Sequence, residues 1–220
     1  MPAVKQWVVP LTIGDSLVVD AGSEFNADGR DLFIKGDMVV NGTFTPNGNT
    51  TDFNGSAQQE ITGSPNFYNL TKCTATTLAL NNDVTVNNVF SMPSGTLNDN
   101  NNTLNIKGNI NFGGTHTWGG SGNGIVLNGG SEQIMTGEGT YGLLAIDNAE
   151  GVSIDDGSGA NMTITNELQL NEGIFDIDEF LLTLQTDAEI TTSNSFDANT
   201  LIQTNISFTD AGIIKEFPAF

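Results

Sequence analysis

Apolar residues in this chain come in short bursts in which every second position is polar. Four clear bursts are Leu78-x-Leu80, Val84-x-Val86, Leu104-x-Ile106 and Ile110-x-Phe112. A period of two predicts β-strands with one face turned inward. Between the bursts lie Asn-Asn, Asn-Gly and Gly-Gly pairs, which tolerate positive φ and allow sharp turns. No segment has helical spacing, so the pattern predicts an all-β chain.

The same pattern recurs over a long period. Residues 32–37, LFIKGD, return at 104–109 as LNIKGN and, more loosely, at 182–187 as LTLQTD. A second anchor, FNG at 53–55 followed by Gln59, returns as LNG at 127–129 followed by Gln133. Extra residues enter near 156–159, a Gly/Ser/Asp stretch, while the apolar anchors keep their phase. Variable turns between constant apolar positions are typical of stacked coils.

These observations predict one right-handed parallel β-helix, a β-solenoid, with an internal repeat of about 72–78 residues. We expect residues 1–220 to form a single domain and to be a fragment of, or a subunit in, a longer assembly. Its units would be a partial one at 11–52, then 53–126 and 127–205, with a tail at 206–220. Hairpin barrels and sandwiches also contain many short strands, and the long period is what favours a solenoid.

Composition narrows the possible partners. The chain has 220 residues with 26 carboxylates and six cations, a net charge of -20, and it is rich in Asn and Gly. Such a surface repels nucleic acid and anionic membranes. One cysteine excludes an internal disulfide, and no apolar run is long enough to span a membrane.

Several segments carry a family resemblance: Asn41-Gly42-Thr43-Phe44, residues 53–58, residues 67–70 and the closing residues 215–218. Here the chain resembles repeat regions of large secreted surface proteins of Bacteroidetes. Those proteins look like β-helical adhesins and are typically exported by the type IX system. The resemblance implies a secreted or cell-surface location, although this chain lacks the signal and the C-terminal sorting domain that such proteins carry.

The candidate ligand sites are few. Calcium would find oxygen ligands at Asp155, Asp156, Asp176, Asp178 and Glu179. These clusters match neither the nine-residue Gly-Gly-x-Gly-x-Asp calcium repeat nor an EF-hand loop, and solvated turn carboxylates are the default interpretation. We otherwise expect no cofactor. Trp118, Thr115 and Thr117 are candidates for binding an external ligand.

Two other features have ordinary structural explanations. His116 aligns with Phe44 one repeat earlier, so we expect it to fill the core. Thr-x-Thr pairs resemble those of ice-binding solenoids, but Thr43/Thr45 and Thr115/Thr117 lie a whole repeat apart, so we expect no ice-binding face.

No catalytic constellation stands out, so the sequence predicts a structural or adhesive scaffold rather than an enzyme. A polysaccharide-binding or polysaccharide-degrading β-helix and a fibre subunit are the alternatives. The expected partners are an extracellular polysaccharide or cell-surface ligand, neighbouring repeats, or a second copy stacked on the solenoid ends; no nucleic acid or membrane insertion is expected.

Overall fold

The computed structural model describes residues 9–122, 124–155, 161–204 and 212–218. In this part of the chain the protein is all-β, with parallel strands stacked as a solenoid of about nine turns. Both predictions, the all-β class and the parallel solenoid, are confirmed. No helix in the described residues has the length and apolar character needed to cross a membrane.

The strands are short, apart from four longer ones that continue around a corner of the coil. They are β1 Leu11–Ile13, β2 Leu17–Val19, β3 Glu24–Asn26, β4 Leu32–Ile34, β5 Met38–Val40, β6 Thr43–Thr45, β7 Thr50–Phe53, β8 Gln59–Thr62, β9 Asn66–Thr71, β10 Thr77–Leu80, β11 Val84–Met92, β12 Thr96–Asn98, β13 Leu104–Ile106, β14 Ile110–Phe112, β15 Thr115–Thr117, β16 Ile125–Leu127, β17 Gln133–Thr136, β18 Thr140–Asp147, β19 Val152–Ile154, β20 Met162–Asp176, β21 Leu181–Leu184, β22 Glu189–Thr191, β23 Thr200–Gln203 and β24 Gly212–Lys215.

Each coil contributes a strand to each of three faces. Face 1 runs from β1 through β4, β7, the ends of β9 and β11, β14, β17, β19 and the end of β20 to β23. Face 2 runs from β2 through β5, β8, β10, β12, β15 and the starts of β18 and β20 to β21 and β24. Face 3 begins with the separate pair β3 and β6, then continues from the start of β9 through β11, β13, β16, β18 and β20 to β22.

The core is built from the inward half of each alternating burst. Leu78, Leu97 and Ile164 on face 2 are fully buried, while the residues beside them point outward. Aromatic rings continue the stack where strand pairing is interrupted: the ring centroids of Phe44 and Phe67 lie 5.7 Å apart, between β6 and β9. One apolar cluster therefore extends through the described coils.

The long sequence repeat does not match a whole number of coils. Leu32 lies on face 1, Leu104 on face 3 and Leu182 on face 2. From each of these leucines to the next, the chain passes three full coils and two further faces. Successive copies of the repeat are therefore rotated around the solenoid axis, and equivalent residues do not lie above one another.

Corners between faces use the turn chemistry that the Asn and Gly pairs predict. Asn47 and Gly48 have φ values of 51° and 84°, and Asn49 N–H donates to Pro46 O across the turn at 3.3 Å. Two consecutive residues with positive φ form the turn for which Asn-Gly is preferred.

Candidate functional site

An outward ladder of six threonines runs along face 2. Thr77 pairs with Thr96, Thr96 with Thr115, Thr115 with Thr140, Thr140 with Thr163, and Thr163 with Thr183, one rung per coil. At the spacing of paired strands, about 4.8 Å, the five intervals place the end rungs about 24 Å apart. We call this row the threonine ladder.

The ladder hydroxyls make no hydrogen bond to other groups in the part of the chain that the structure describes. By contrast, the hydroxyl of Thr165, two residues beyond a rung, donates to Tyr141 O at 3.3 Å. The parallel row beside the ladder is irregular, because Ala79, Asn98 and Thr117 succeed one another there. Face 2 thus presents one line of threonine hydroxyl groups rather than a two-dimensional lattice.

The two Thr-x-Thr pairs lie on different faces of the solenoid. Thr43 lies on face 3 and Thr115 on face 2, because each repeat is rotated relative to the last. Threonines do recur on successive coils, but they come from six different places in the sequence pattern.

Of the ligand-binding candidates, Thr115 and Thr117 are exposed on face 2. Trp118 differs from them, because its ring packs on the outside of face 3 against a small cluster formed by Val126, Leu143 and Ala145. Its indole N–H donates to Ser121 O at 3.1 Å. Trp118 is therefore a partly buried cover at the corner of faces 2 and 3, and not a free stacking platform.

A buried glutamine explains why the two sequence anchors recur together. Gln59 accepts the Gly55 N–H through Oε1 at 2.8 Å, and its Nε2 donates to the carbonyls of Ile34, at 3.0 Å, and Gly36. Gln133 repeats the arrangement with Gly129, Ile106 and Gly108. The two anchors are thus the two sides of one buried contact between neighbouring coils.

The partner of each glutamine differs between the copies. Lys72, fully buried, donates from Nζ to Gln59 Oε1 at 3.1 Å, to Thr76 Oγ1 at 2.7 Å and to Thr74 Oγ1. At the other copy, Asn148 Nδ2 donates to Gln133 Oε1 at 3.0 Å. Because a neutral amide fills the same role, the Lys72 ammonium is a structural donor at this corner.

Lys72 has unusual surroundings for a lysine, and sequence reasoning did not single it out. The strand register places it on face 1 between Phe53 and Met92, which are both fully buried. Removal from water lowers the pKa of Lys72, an effect partly offset by Cys73 and Asp52. The sequence feature that could have predicted its burial is the period-two alternation of the strand. Lys72 lies two residues after the inward Leu70 and therefore also points inward.

Cys73 and Asp52 lie beside this corner. The Cys73 thiol contacts both carboxylate oxygens of Asp52 at 3.0 Å. Burial and this hydrogen bond raise the pKa of Cys73. A thiol with a raised pKa is a poor nucleophile at neutral pH.

His116 lies in the core, as predicted. It is 2% exposed, and its Nε2 lies 3.1 Å from Asp99 Oδ2. The other oxygen of Asp99 accepts the backbone N–H groups of Asn101, at 3.0 Å, and Gly119, at 2.8 Å. Burial of the Asp99 carboxylate is thus compensated by hydrogen bonds to both of its oxygens, whereas His116 Nδ1 is buried with no partner among the described residues.

The acidic candidates are mostly used in turns. Asp176 accepts Asp178 N–H at 2.9 Å through one oxygen and Gln203 Nε2 at 2.9 Å through the other. Asp178 has a φ of 47°, beside Glu179 in the same turn. Asp156 lies outside the described residues, and Asp155 is described. Among the described residues, no three His, Cys, Asp or Glu side chains are grouped to hold a metal. Calcium binding thus gains no support there.

A polar cleft of about 650 Å³ lies at the corner between faces 3 and 1 near the C-terminal end. Glu172, Asn194 and Asp197 are among its lining residues. Two of its polar side chains bond to other lining residues: Asn194 Nδ2 donates to Asn171 O at 2.9 Å, and Asp197 accepts Asn199 N–H at 2.7 Å. The cleft is therefore a feature of the turns.

Comparison with known proteins adds no relative. No family model, no curated protein and no solved structure matches the chain.

Proposed function

We propose that this chain is a rigid scaffold or stalk segment of a secreted bacterial surface protein and has no catalytic role. The observation that carries the proposal is the continuous apolar core of the stack. About nine turns share one apolar core, and every described strand lies parallel to its sheet neighbours. In such a stack each coil contacts only its neighbours, so the number of coils determines length.

The buried corners support stiffness. Gln59 and Gln133 each tie three backbone groups from two coils, and Lys72 and Asn148 hold the glutamines in place. Removing one partner from such a network leaves a buried polar group unsatisfied, at a cost of about 1–3 kcal/mol. Bending the stack at these corners is opposed by the same contacts.

The negative charge is consistent with a stalk segment whose long faces do not associate with those of another molecule. A net charge of -20 over 220 residues makes the faces of two molecules repel each other. The proposal also includes a secreted location and membership of the Bacteroidetes surface-protein class. Both rest on the sequence resemblance.

A direct test is incubation of the purified chain with a panel of polysaccharides, followed by measurement of reducing-sugar release. The scaffold proposal predicts release no higher than in a control without protein. Release that rises with protein concentration, and persists through a second purification step, would contradict it.

The threonine ladder favours a second function, binding of an extended polysaccharide along face 2. Its six hydroxyls, which have no hydrogen-bond partner among the described residues, form a line along the solenoid axis. A line of hydroxyls suits a linear polymer of hydroxyl groups better than a lattice. The neighbouring row lacks the regularity that a flat crystalline ligand would need.

Replacing three rungs tests this second function on a glycan array. Thr96→Val, Thr115→Val and Thr140→Val together remove three hydroxyls with little change of shape. At about 0.5–1.5 kcal/mol for each lost hydrogen bond, we expect binding to weaken at least tenfold. The matched control carries Thr→Val at Thr43, Thr71 and Thr85, which lie on the other two faces. Equal weakening in both triple variants, or no glycan binding by the unmodified chain, would contradict ladder binding.

A further inference from the structure

Exposed large apolar side chains are concentrated at the two ends of the solenoid. They are Val9, Leu11 and Val18 at the first coil, and Ile190, Phe196, Ile213, Ile214 and Phe217 at the last coils. Between the ends, Tyr68 is the one large apolar residue exposed among the described residues. The long faces are therefore polar and the ends are not.

Strand edges are also open at both ends. Within the described residues, β1, β2 and β3 each pair with one strand only, on the side of the second coil. At the other end, β22, β23 and β24 likewise each pair on one side. Unpaired strand edges are templates for pairing with another chain.

The exposed apolar residues at the ends include inward-facing core positions. Leu11 pairs with the buried Leu32, and Ile213 pairs with the buried Leu182, yet Leu11 and Ile213 are 41% and 45% exposed. Beside Leu11, a cleft of about 310 Å³ reaches Leu32 and Phe25. At each end, no described residue lies above the last apolar side chain of the core column.

We propose that the first coil of one molecule docks on the last coil of another, so that copies of this chain assemble head to tail. An occupant of either end must supply parallel strands on three faces with apolar residues pointing inward. The opposite end of a second copy supplies them, in the same chain direction and in the same order of faces. Such a contact joins two different surfaces, so it builds an open filament rather than a closed dimer.

The acidic surface predicts how this assembly depends on salt. Each copy carries a formal charge of -20, so stacking brings like charges together. Salt screens that repulsion, with a Debye length of about 10 Å at 0.1 M and about 3 Å at 1 M. Assembly is therefore stronger at high ionic strength, the opposite of a contact that depends on ion pairs.

Sedimentation velocity of the 220-residue chain over a range of concentration and salt tests the proposal. We expect species of increasing length as either is raised, seen as single-width rods by electron microscopy. A monomer at every concentration and salt, or side-by-side sheets, overturns it. This part of the test needs no variant.

Two variants block one end each. Leu11→Lys blocks the first coil and Ile213→Lys the last, and each makes the net charge less negative, so weaker association cannot come from added repulsion. Tyr68→Lys is the matched control at an exposed apolar residue between the ends. We expect each end variant alone to be monomeric and the control to assemble as the unmodified chain does.

Mixing the two end variants gives the sharpest result. Each retains one intact end, so a 1:1 mixture forms dimers and nothing longer, with unchanged circular dichroism as the check on folding. Dimers formed by either variant alone, or loss of assembly in Tyr68→Lys, would show that the contact is not head to tail.

Discussion

Gly108 lies at a corner where two coils approach closely, and replacing it with alanine should destabilise the solenoid. An added Cβ would lie 1.7 Å from the carbonyl oxygen of Asn88, on the coil below. Cβ contacts shorter than 3.0 Å essentially do not occur, so the backbone would have to separate by about 1.3 Å, the difference of the two distances. Gly36 occupies the same place in the earlier copy of the repeat and also lies against backbone.

The cost follows from the bonds beside the glycine. Lys107 N–H donates to Val86 O at 2.9 Å, and Phe90 N–H donates to Asn109 O at 3.1 Å. Separation of the coils by the required amount would break both, at about 0.5–1.5 kcal/mol each. We therefore expect Gly108→Ala to lower the free energy of unfolding by about 1–3 kcal/mol, which is also the usual range for overpacking.

Urea unfolding, monitored by circular dichroism and by tryptophan fluorescence, measures this effect. The comparison requires that the two signals give coincident transitions and that the variants have equal m-values. Gly130→Ala is the control, because its Cβ would meet nothing within 4 Å. The control should change stability by no more than about 0.5 kcal/mol. If the two variants differ by less than that, the close approach of coils at Gly108 is wrong.

Three further predictions concern polar side chains at the corners of the coils. Because the pKa of Lys72 is lowered from its ordinary value of 10.5, the native state releases this proton at a lower pH than the unfolded chain. The unfolding free energy of the unmodified chain should therefore rise relative to Lys72→Met as pH increases towards 10.5, and urea midpoints at pH 8 and pH 10 check the sign. Cys73 should react more slowly with a thiol reagent at pH 7 than the same residue in urea, and Asp52→Asn should speed the reaction, because the hydrogen bond to Asp52 helps to raise the thiol pKa. His116→Phe should cost about 1–3 kcal/mol, since Asp99 loses a buried partner; a neutral result in urea unfolding would mean that the backbone donors alone satisfy the carboxylate.

The strands and the solenoid were predictable because alternation and turn residues are local signals. Leu104-x-Ile106 specifies an inward pair whichever face it lies on. For the same reason the sequence repeat could not reveal the rotation between its copies. On each of the three faces, the inward positions of a strand meet the same apolar core. The sequence repeat therefore does not indicate how many strands complete a coil.

The threonine ladder was only partly predictable from the sequence. Thr115 and Thr117 were identified from their motif, but the rung above Thr115 is Thr140, 25 residues later, while the rung below is Thr96, 19 residues earlier. Insertions at the corners change the spacing, and inward packing restores the register. Threonines at unequal spacings in the sequence are therefore aligned as a ladder only by the register of the stacked coils.

A distance measurement along the ladder tests most directly whether the chain is a rigid stack. Spin labels at Thr77→Cys and Thr183→Cys, in a Cys73→Ser background, are separated by five coil intervals on face 2. Pulsed electron–electron double resonance should give one narrow distribution of distances between the two labels. With a strand spacing of about 4.8 Å, the distribution should be centred near about 24 Å, allowing for the label arms. A broad distribution, or a centre displaced by more than the label arms allow, would contradict a stiff scaffold whose length is fixed by its coils.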